Sequence, residues 1–432
     1  MKYAIAILLC IALLFANALA QKNLEQVVPA REENIESLMD ELISHNPDIA
    51  TEMYKMDAAI RRIPQSGVLD DPELVFKLME IPGTRFNEAM YANIELMQMI
   101  PFPTKLSTRR SLGNLLSEHA HHDHLEKIVQ VVADLKTALA MIWFGRESLS
   151  INTTNQQLLK RVLKVTETSY SVGRASQQEI LRTKIELSKL VADEAQIQEH
   201  IAAAENMIRR ILNRPAEASV GRIVLGPPSP LPPLNVLLTY AEQHKPMLMH
   251  DSLNVVEKEM NVRLMRQEYL PDLKFSVEYV RLPMTMENRW SVSAGITLPF
   301  APWSLSKASS RVQEAESEQM MLSSMYVSSK SMVQSQIRSK HAALKALQTQ
   351  IEQLQDVVLP LLTQSIDLLL TDYETGRTSY LMVLDGYRMY NDTRRDLAMA
   401  RMNYHQTIAS LEREAGVTDI NSIRTPGKEQ KP

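Results

Sequence analysis

The chain has 432 residues, with 47 Lys and Arg against 51 Asp and Glu, for a formal net charge of −4. No basic excess points to nucleic acid, and the single cysteine, Cys10, excludes disulfides, thiolate metal sites and a cysteine nucleophile from the body of the protein. Past the first twenty residues no uninterrupted apolar run reaches about 18 residues, so no helix is predicted to span a bilayer, and a membrane is entered only as a closed β-barrel.

Residues 1–20, MKYAIAILLCIALLFANALA, begin with Lys2, run apolar from Ala4 to Phe15 and end on Ala18-Leu19-Ala20. That is the pattern of a cleaved secretory signal peptide, which leaves 21–432 as a single mature domain. Cys10 lies inside the apolar run, where it is badly placed for lipidation, so no acyl anchor is expected.

The mature body reads as two tandem repeats, 33–213 and 235–414, joined by the proline-rich linker RPAEASVGRIVLGPPSPLPPL (214–234). ESLMDELISHNP (36–47) lines up with NVLLTYAEQHKP (235–246), and Pro72-Glu73-Leu74 with Pro271-Asp272-Leu273, both at an offset of 199. Ile100-Pro101-Phe102 matches Leu298-Pro299-Phe300 at 198, and YSVGRAS (170–176) matches YETGRTS (373–379) at 203. The same landmarks in the same order mark an internal repeat.

Within each repeat a short helix stops at a proline and a second follows, at 48–63 and 247–268. A pair of strands comes next. LKFSVEYVRL (273–282) sets Leu273, Phe275, Val277 and Tyr279 against Lys274, Ser276 and Glu278, and WSVSAGITL (290–298) sets Trp290, Val292, Ala294, Ile296 and Leu298 against Ser291, Ser293, Gly295 and Thr297. LVFKLMEI (74–81) and YANIELMQMI (91–100) alternate over part of their length. Such lengths suit tilted membrane-spanning strands, with Trp290 and Trp303 as interfacial anchors.

A very long helix follows each pair. Leu125, Ile128, Val132, Leu135, Leu139 and Ile142 step by three and four, as do Leu344, Leu347, Ile351, Leu354, Val358 and Leu361. This is a narrow coiled-coil seam on rods of about 95 Å, with Gly113 and Gly145 tolerated and a kink expected at Pro360. Gly173 and Gly376 then reverse the chain, and Ser176 and Ser379 cap the returning helices at 177–213 and 379–414. The predicted fold is mainly α with a small β part, the strand pairs at one end and the hairpin tips at the other.

With these landmarks the sequence resembles the TolC-like outer-membrane efflux proteins, from about 33 to 414. The match includes VLPLL…YETGRTSYLMVLD (358–385) and the Val383-Leu384-Asp385-Gly386 run. The resemblance implies a homotrimer in which each chain gives four strands to a twelve-stranded outer-membrane barrel. It also implies a periplasmic α-barrel of coiled-coil hairpins whose tips meet an adaptor protein and an inner-membrane pump of the RND type. The tip residues Tyr170, Gly173, Arg174, Ser176, Tyr373, Gly376, Arg377 and Ser379 are then candidates for adaptor contact. In the family two acidic residues one turn apart ring the periplasmic mouth. By the VLD match the second is Asp385 while the first falls on Met382, and the equivalent positions of the first repeat are Glu179 and Arg182. Tyr373 and Arg182 are the pattern's candidates to relieve repulsion among the Asp385 copies.

The function this implies is a passive exit duct of a tripartite efflux system, without catalytic residues or cofactor, for cations, heavy metals or drugs. Type I protein secretion is the alternative. An enzyme reading competes through HAHHDH (119–124), which as HxHxDH matches a metallo-β-lactamase-type signature, but both of its flanks are helical here. His119, His121, His122 and His124 remain candidate metal contacts. Met97, Met99, Met247 and Met249 offer soft thioethers for Cu(I) or Ag(I), against the ordinary role of methionine as core filler. A periplasmic scaffold is the third class, and it would lack the twofold repeat.

Overall fold

The structure is a computed structural model that describes residues 33–79, 81, 83–84, 91–173, 175–282 and 287–423. The signal-peptide segment and Arg174 therefore lie outside the described residues, as does Glu80 within the first expected strand.

The two repeats fold with the same grammar. The first gives α1 (Ile35–His45), α2 (Pro47–Arg62), β1 (Glu73–Met79), β2 (Tyr91–Ile100), α3 (Pro103–Ser171) and α4 (Gln177–Ile211). The second gives α5 (Leu234–His244), α6 (Pro246–Gln267), β3 (Leu273–Leu282), β4 (Glu287–Ile296), α7 (Pro302–Glu352), α8 (Leu359–Glu374) and α9 (Tyr380–Ala415). Proline sets the helix breaks. Asn46 (φ −73, ψ 122) and Lys245 (φ −66, ψ 117) are pushed into extended conformations by Pro47 and Pro246, which then open the next helices.

The chain forms two compact units. One takes the described residues of Met1–Asn46, Asp134–Ser229 and Leu344–Ala409, and the other those of Pro47–Ala133, Pro230–Ala343 and Ser410–Pro432.

The second unit holds one four-stranded antiparallel sheet in the order β1-β2-β3-β4, so the two expected pairs are joined through β2 and β3. The register puts Leu74, Leu96, Val277 and Val292 in one row, with Phe76, Ile94, Tyr279 and Trp290 in the next. These side chains make an exposed apolar face. The opposite face carries Lys77, Asn93, Glu95, Ser276, Glu278 and Ser293. Strand β4 starts three residues before the expected Trp290 and stops at Ile296. Pairing of Glu287, Asn288 and Arg289 with β3 continues the ladder although these residues break the apolar alternation. Trp290 consequently lies within β4, and Trp303 opens α7.

The first unit is built on the long helices. Leu159 and Val162 of α3, Ile366 of α8 and Tyr380, Leu384 and Tyr387 of α9 are buried together, with Leu187 and Leu190 of α4 packed against them. Each such side chain contributes about 1.5–3 kcal/mol by leaving water. Gly145 lets α4 approach closely, since a Cβ there would stand 2.7 Å from Ile201 Cγ1. The linker also takes part: Val220 and Ile223 are buried, and Arg146 donates to the Val220 carbonyl at 2.8 Å.

The apolar seam of the second repeat breaks where the sequence showed no break. A π-turn, Gln353–Val358, separates α7 from α8. Its wider turn shifts the phase, so Leu344 and Ile351 are buried, Leu361 is 61% exposed, and Ile366 resumes the core. Pro360, which lacks an N–H, follows immediately.

Candidate functional site

Both hairpin tips, in the first unit, are closed by the same local chemistry. Gly173 and Gly376 take φ of +73 and +76, the left-handed conformation that ends a helix cheaply only at glycine. Their N–H groups donate to the carbonyls of Tyr170 and Tyr373, each at 3.0 Å. Ser176 Oγ then accepts from the Glu179 N–H and Ser379 Oγ from the Met382 N–H, each at 3.4 Å. At the first tip the Ser176 hydroxyl also donates to Glu179 Oε1, so Glu179 serves as a capping partner.

The two tips differ in what their tyrosines do. Tyr170 is exposed, whereas Tyr373 Oη lies 3.3 Å from Thr166 Oγ1. Thr166 already donates to the Val162 carbonyl, so the tyrosine is the donor. Seven residues on, Tyr380 Oη lies 2.8 Å from Thr183 Oγ1, and seven further Tyr387 Oη donates to the Asn155 carbonyl at 2.9 Å. Burial raises all three phenols above their ordinary pKa, so they remain protonated donors. This heptad-spaced ladder ties the second hairpin to the first.

The mouth candidates sit on the returning helices. Met382 and Asp385 are exposed one turn apart on α9, the Asp385 side chain at 69%. The Asp385 carboxylate has Arg388 Nη1 at 3.8 Å, and Arg388 Nη2 reaches across to Glu186 of α4 at 2.6 Å. Burial raises the Glu186 pKa, but the Arg388 hydrogen bond and charge outweigh it and hold the carboxyl below its usual range. The cation beside Asp385 is thus Arg388, while Tyr373 is engaged with Thr166 and Arg182 is exposed on α4. The exposed Arg377 stands 3.8 Å from the half-buried Asp372. Arg388, Glu186, Tyr380 and Thr183 were not picked out by sequence. The signal available was the seven-residue spacing of Tyr373, Tyr380 and Tyr387. A cleft of ≈ 500 Å³ opens between the tips, lined by Val165, Thr168, Val172, Tyr373, Gly376 and Thr378.

The histidine run lies inside α3, not in a loop. In the second unit His119 is buried and its ring meets that of His250 on α6, centroids 4.7 Å apart, with Glu257 Oε2 at 3.2 Å from His119 Nε2. His250 Nε2 lies 3.5 Å from Asp123. Among the described residues no three His, Cys, Asp or Glu side chains are arranged to hold a metal ion, and the HxHxDH reading has no loop to build on. Met97 and Met99 face Ser276 and Lys274 in the sheet register, and the Met247 N–H donates to Glu126.

Residues 237–417, from within α5 to just past α9, match the family model described as outer membrane efflux protein. Over these residues the chain is similar to the outer membrane efflux protein family. Solved outer-membrane channels share its fold. OprN superposes with a TM-score of 0.77 at 16% identity, covering 88% of this chain and 89% of its own. VceC from Vibrio cholerae gives 0.74 at 14% identity, covering 89% and 96%. The open state of MtrE from Neisseria gonorrhoeae gives 0.71 at 15%, covering 89% of both chains. A search of curated proteins finds no match.

Proposed function

We propose that this chain is one protomer of a homotrimeric exit duct in the outer membrane of a Gram-negative-type bacterium. Passive conduction through it would carry substrates expelled by an inner-membrane pump of the RND type, reached through a periplasmic adaptor. The observation that carries the reading is the sheet. It has one apolar exposed face, one polar face, and free edges at β1 and β4. Lipid does not tolerate open ladder edges, and four strands are too few to close a barrel. Three copies pairing β1 with β4 close twelve strands, with the apolar face outward and the polar face lining the lumen.

Two further features support it. An 18-residue window within Pro302–Glu374 reaches a mean hydropathy of 1.2 yet is only 6% buried in the single chain, which suits a surface covered by neighbouring copies. The cleft between the tips suits a helical hairpin of the adaptor. Energy and substrate choice then belong to the partners, and the duct carries no catalytic residue. Extraction from outer membranes tests this: a urea-resistant trimer that shifts on heating is expected, and a soluble monomer would overturn it. Metal, drug or polypeptide cargo separates by the sensitivities and secretion of a deletion strain.

A further inference from the structure

The polar face of the sheet holds a group of oxygen donors for which passive conduction has no use. Asn93 on β2 is 5% exposed, and its amide nitrogen donates to Glu278 Oε1 on β3 at 2.6 Å. The oxygen of the same amide, Oδ1, is enclosed and has no hydrogen-bond partner. Leaving a buried acceptor unsatisfied costs about 1–3 kcal/mol, so the position favours a donor or a cation. Glu95 lies two residues along β2 on the same face, directly opposite Glu278 in the register. Like charges placed opposite each other across a ladder repel, and here Lys77 of β1 is a counter-charge to Glu95, its Nζ 2.6 Å from Glu95 Oε2.

The donor set is oxygen only: one amide carbonyl and two carboxylates. That is the chemistry of hard cations rather than of zinc or copper, which select imidazole and thiolate. Only two of the three donors are acidic, the third being an amide.

We propose that Asn93, Glu95 and Glu278 form a divalent-cation site on the polar face of the sheet. Asn93 Oδ1 and the Glu278 carboxylate are the primary ligands, Glu95 completes the set, and the Lys77 ammonium is a competitor built into the protein. Calcium fits better than magnesium, because calcium accepts irregular oxygen shells completed by water, whereas magnesium demands a near-ideal octahedron. All four side chains come from one chain. The location of the site inside a lumen rests on the trimeric-duct reading, where three copies would ring the path of the cargo.

Calcium chloride titrated calorimetrically into the purified, chelator-treated full-length protein tests the site directly. The expected result is one ion per chain. Glu278→Gln and Asn93→Ala should each weaken binding at least tenfold. Lys77→Gln should tighten it severalfold, a gain that a misfolded protein cannot produce. No calcium binding, equal binding in Glu278→Gln, or weaker binding in Lys77→Gln would each overturn the proposal. Because the donors are intrachain, the titration reads the site whatever the oligomeric state, and the heat-modifiable trimer is scored separately on gels.

Discussion

Tyr380 Oη donates to Thr183 Oγ1 across 2.8 Å, and the direction of that bond is fixed, because the Thr183 hydroxyl already gives its proton to the Glu179 carbonyl. The bond ties α9 to α4 just beyond the two turns, with both side chains buried. Tyr380→Phe removes the donor and leaves Thr183 its backbone acceptor, so a loss of about 0.5–1.5 kcal/mol is expected. Thr183→Val strands a buried phenol and should cost about 1–3 kcal/mol. Thermal unfolding of the two variants checks the order, and a smaller loss in Thr183→Val would reverse the assigned direction.

The sheet register makes a second prediction. Val292 stands opposite Val277 in the apolar row, and Ser293 opposite Ser276 on the polar face, where the two hydroxyls lie 2.7 Å apart. In the trimeric-duct reading Val292→Arg puts a charge into lipid at about 2–4 kcal/mol near the midplane, Ile296→Arg at the end of β4 costs less, and Ser293→Arg faces the lumen. Membrane assembly of the trimer should fail in Val292→Arg, weaken less in Ile296→Arg and persist in Ser293→Arg. Equal assembly of all three would sink the assignment of faces.

Much of this architecture was legible because it rests on periodicity and on a few unambiguous residues. Pro47 and Pro246 break helices by sterics alone, Gly173 and Gly376 mark chain reversals, and the alternation around Val277 and Val292 needs no tertiary context. The π-turn was not legible. Leu354, Val358 and Leu361 continue the heptad spacing in sequence, and only the packing of Ile366 reveals the phase shift. Nor was the Arg388–Glu186 pair, whose partners are 202 residues apart. Asp385 was singled out by likeness to a motif, while the cation beside it, Arg388, was decided by how α9 packs on α4.

A third prediction concerns the junction of the strands. Lys105, 7% exposed, donates to Asp272 Oδ1 at 2.8 Å and to the Leu270 carbonyl at 2.9 Å, and Asp272 Oδ1 also accepts from the Phe102 N–H. These bonds pin the chain leaving β2 to the chain beginning β3. Asp272→Ala leaves a buried ammonium without its counter-charge and should cost about 3–5 kcal/mol, whereas Lys105→Met together with Asp272→Ala should cost less than the single change. Chemical denaturation of the three variants measures the difference.

His119 sets a pH dependence. Burial, then the neighbouring His250, holds its imidazole below the usual value of about 6.5, and Glu257 and Asp123 do not restore it. His122 is lowered by burial in the same direction. A folded-state pKa below the unfolded one means that the unfolded chain binds the proton first as pH falls. Stability is therefore full above about pH 6.5 and declines below it. Denaturation midpoints at neutral and mildly acidic pH should show that decline, and His119→Gln should flatten it. An unchanged slope in the variant would assign the effect elsewhere.

The last prediction concerns Asp385. Its carboxylate is largely open to solvent, with Arg388 near but engaged by Glu186 at the shorter distance. In the trimeric reading three such carboxylates gather at the periplasmic mouth, one acidic ring beside a ring of Met382 thioethers. Two unit charges 4 Å apart in water interact by about 1 kcal/mol, so each carboxylate engaged contributes roughly fivefold to a blocking cation's affinity for every unit of charge the cation carries. Planar-bilayer recordings should show weaker block by divalent or trivalent cations from the periplasmic side in Asp385→Ala. Arg388→Ala removes the competing positive charge and should strengthen the block, and the double variant should behave like Asp385→Ala alone. Unchanged block in Asp385→Ala would take this residue out of the mouth and leave it as a solvated position on the outer face of α9.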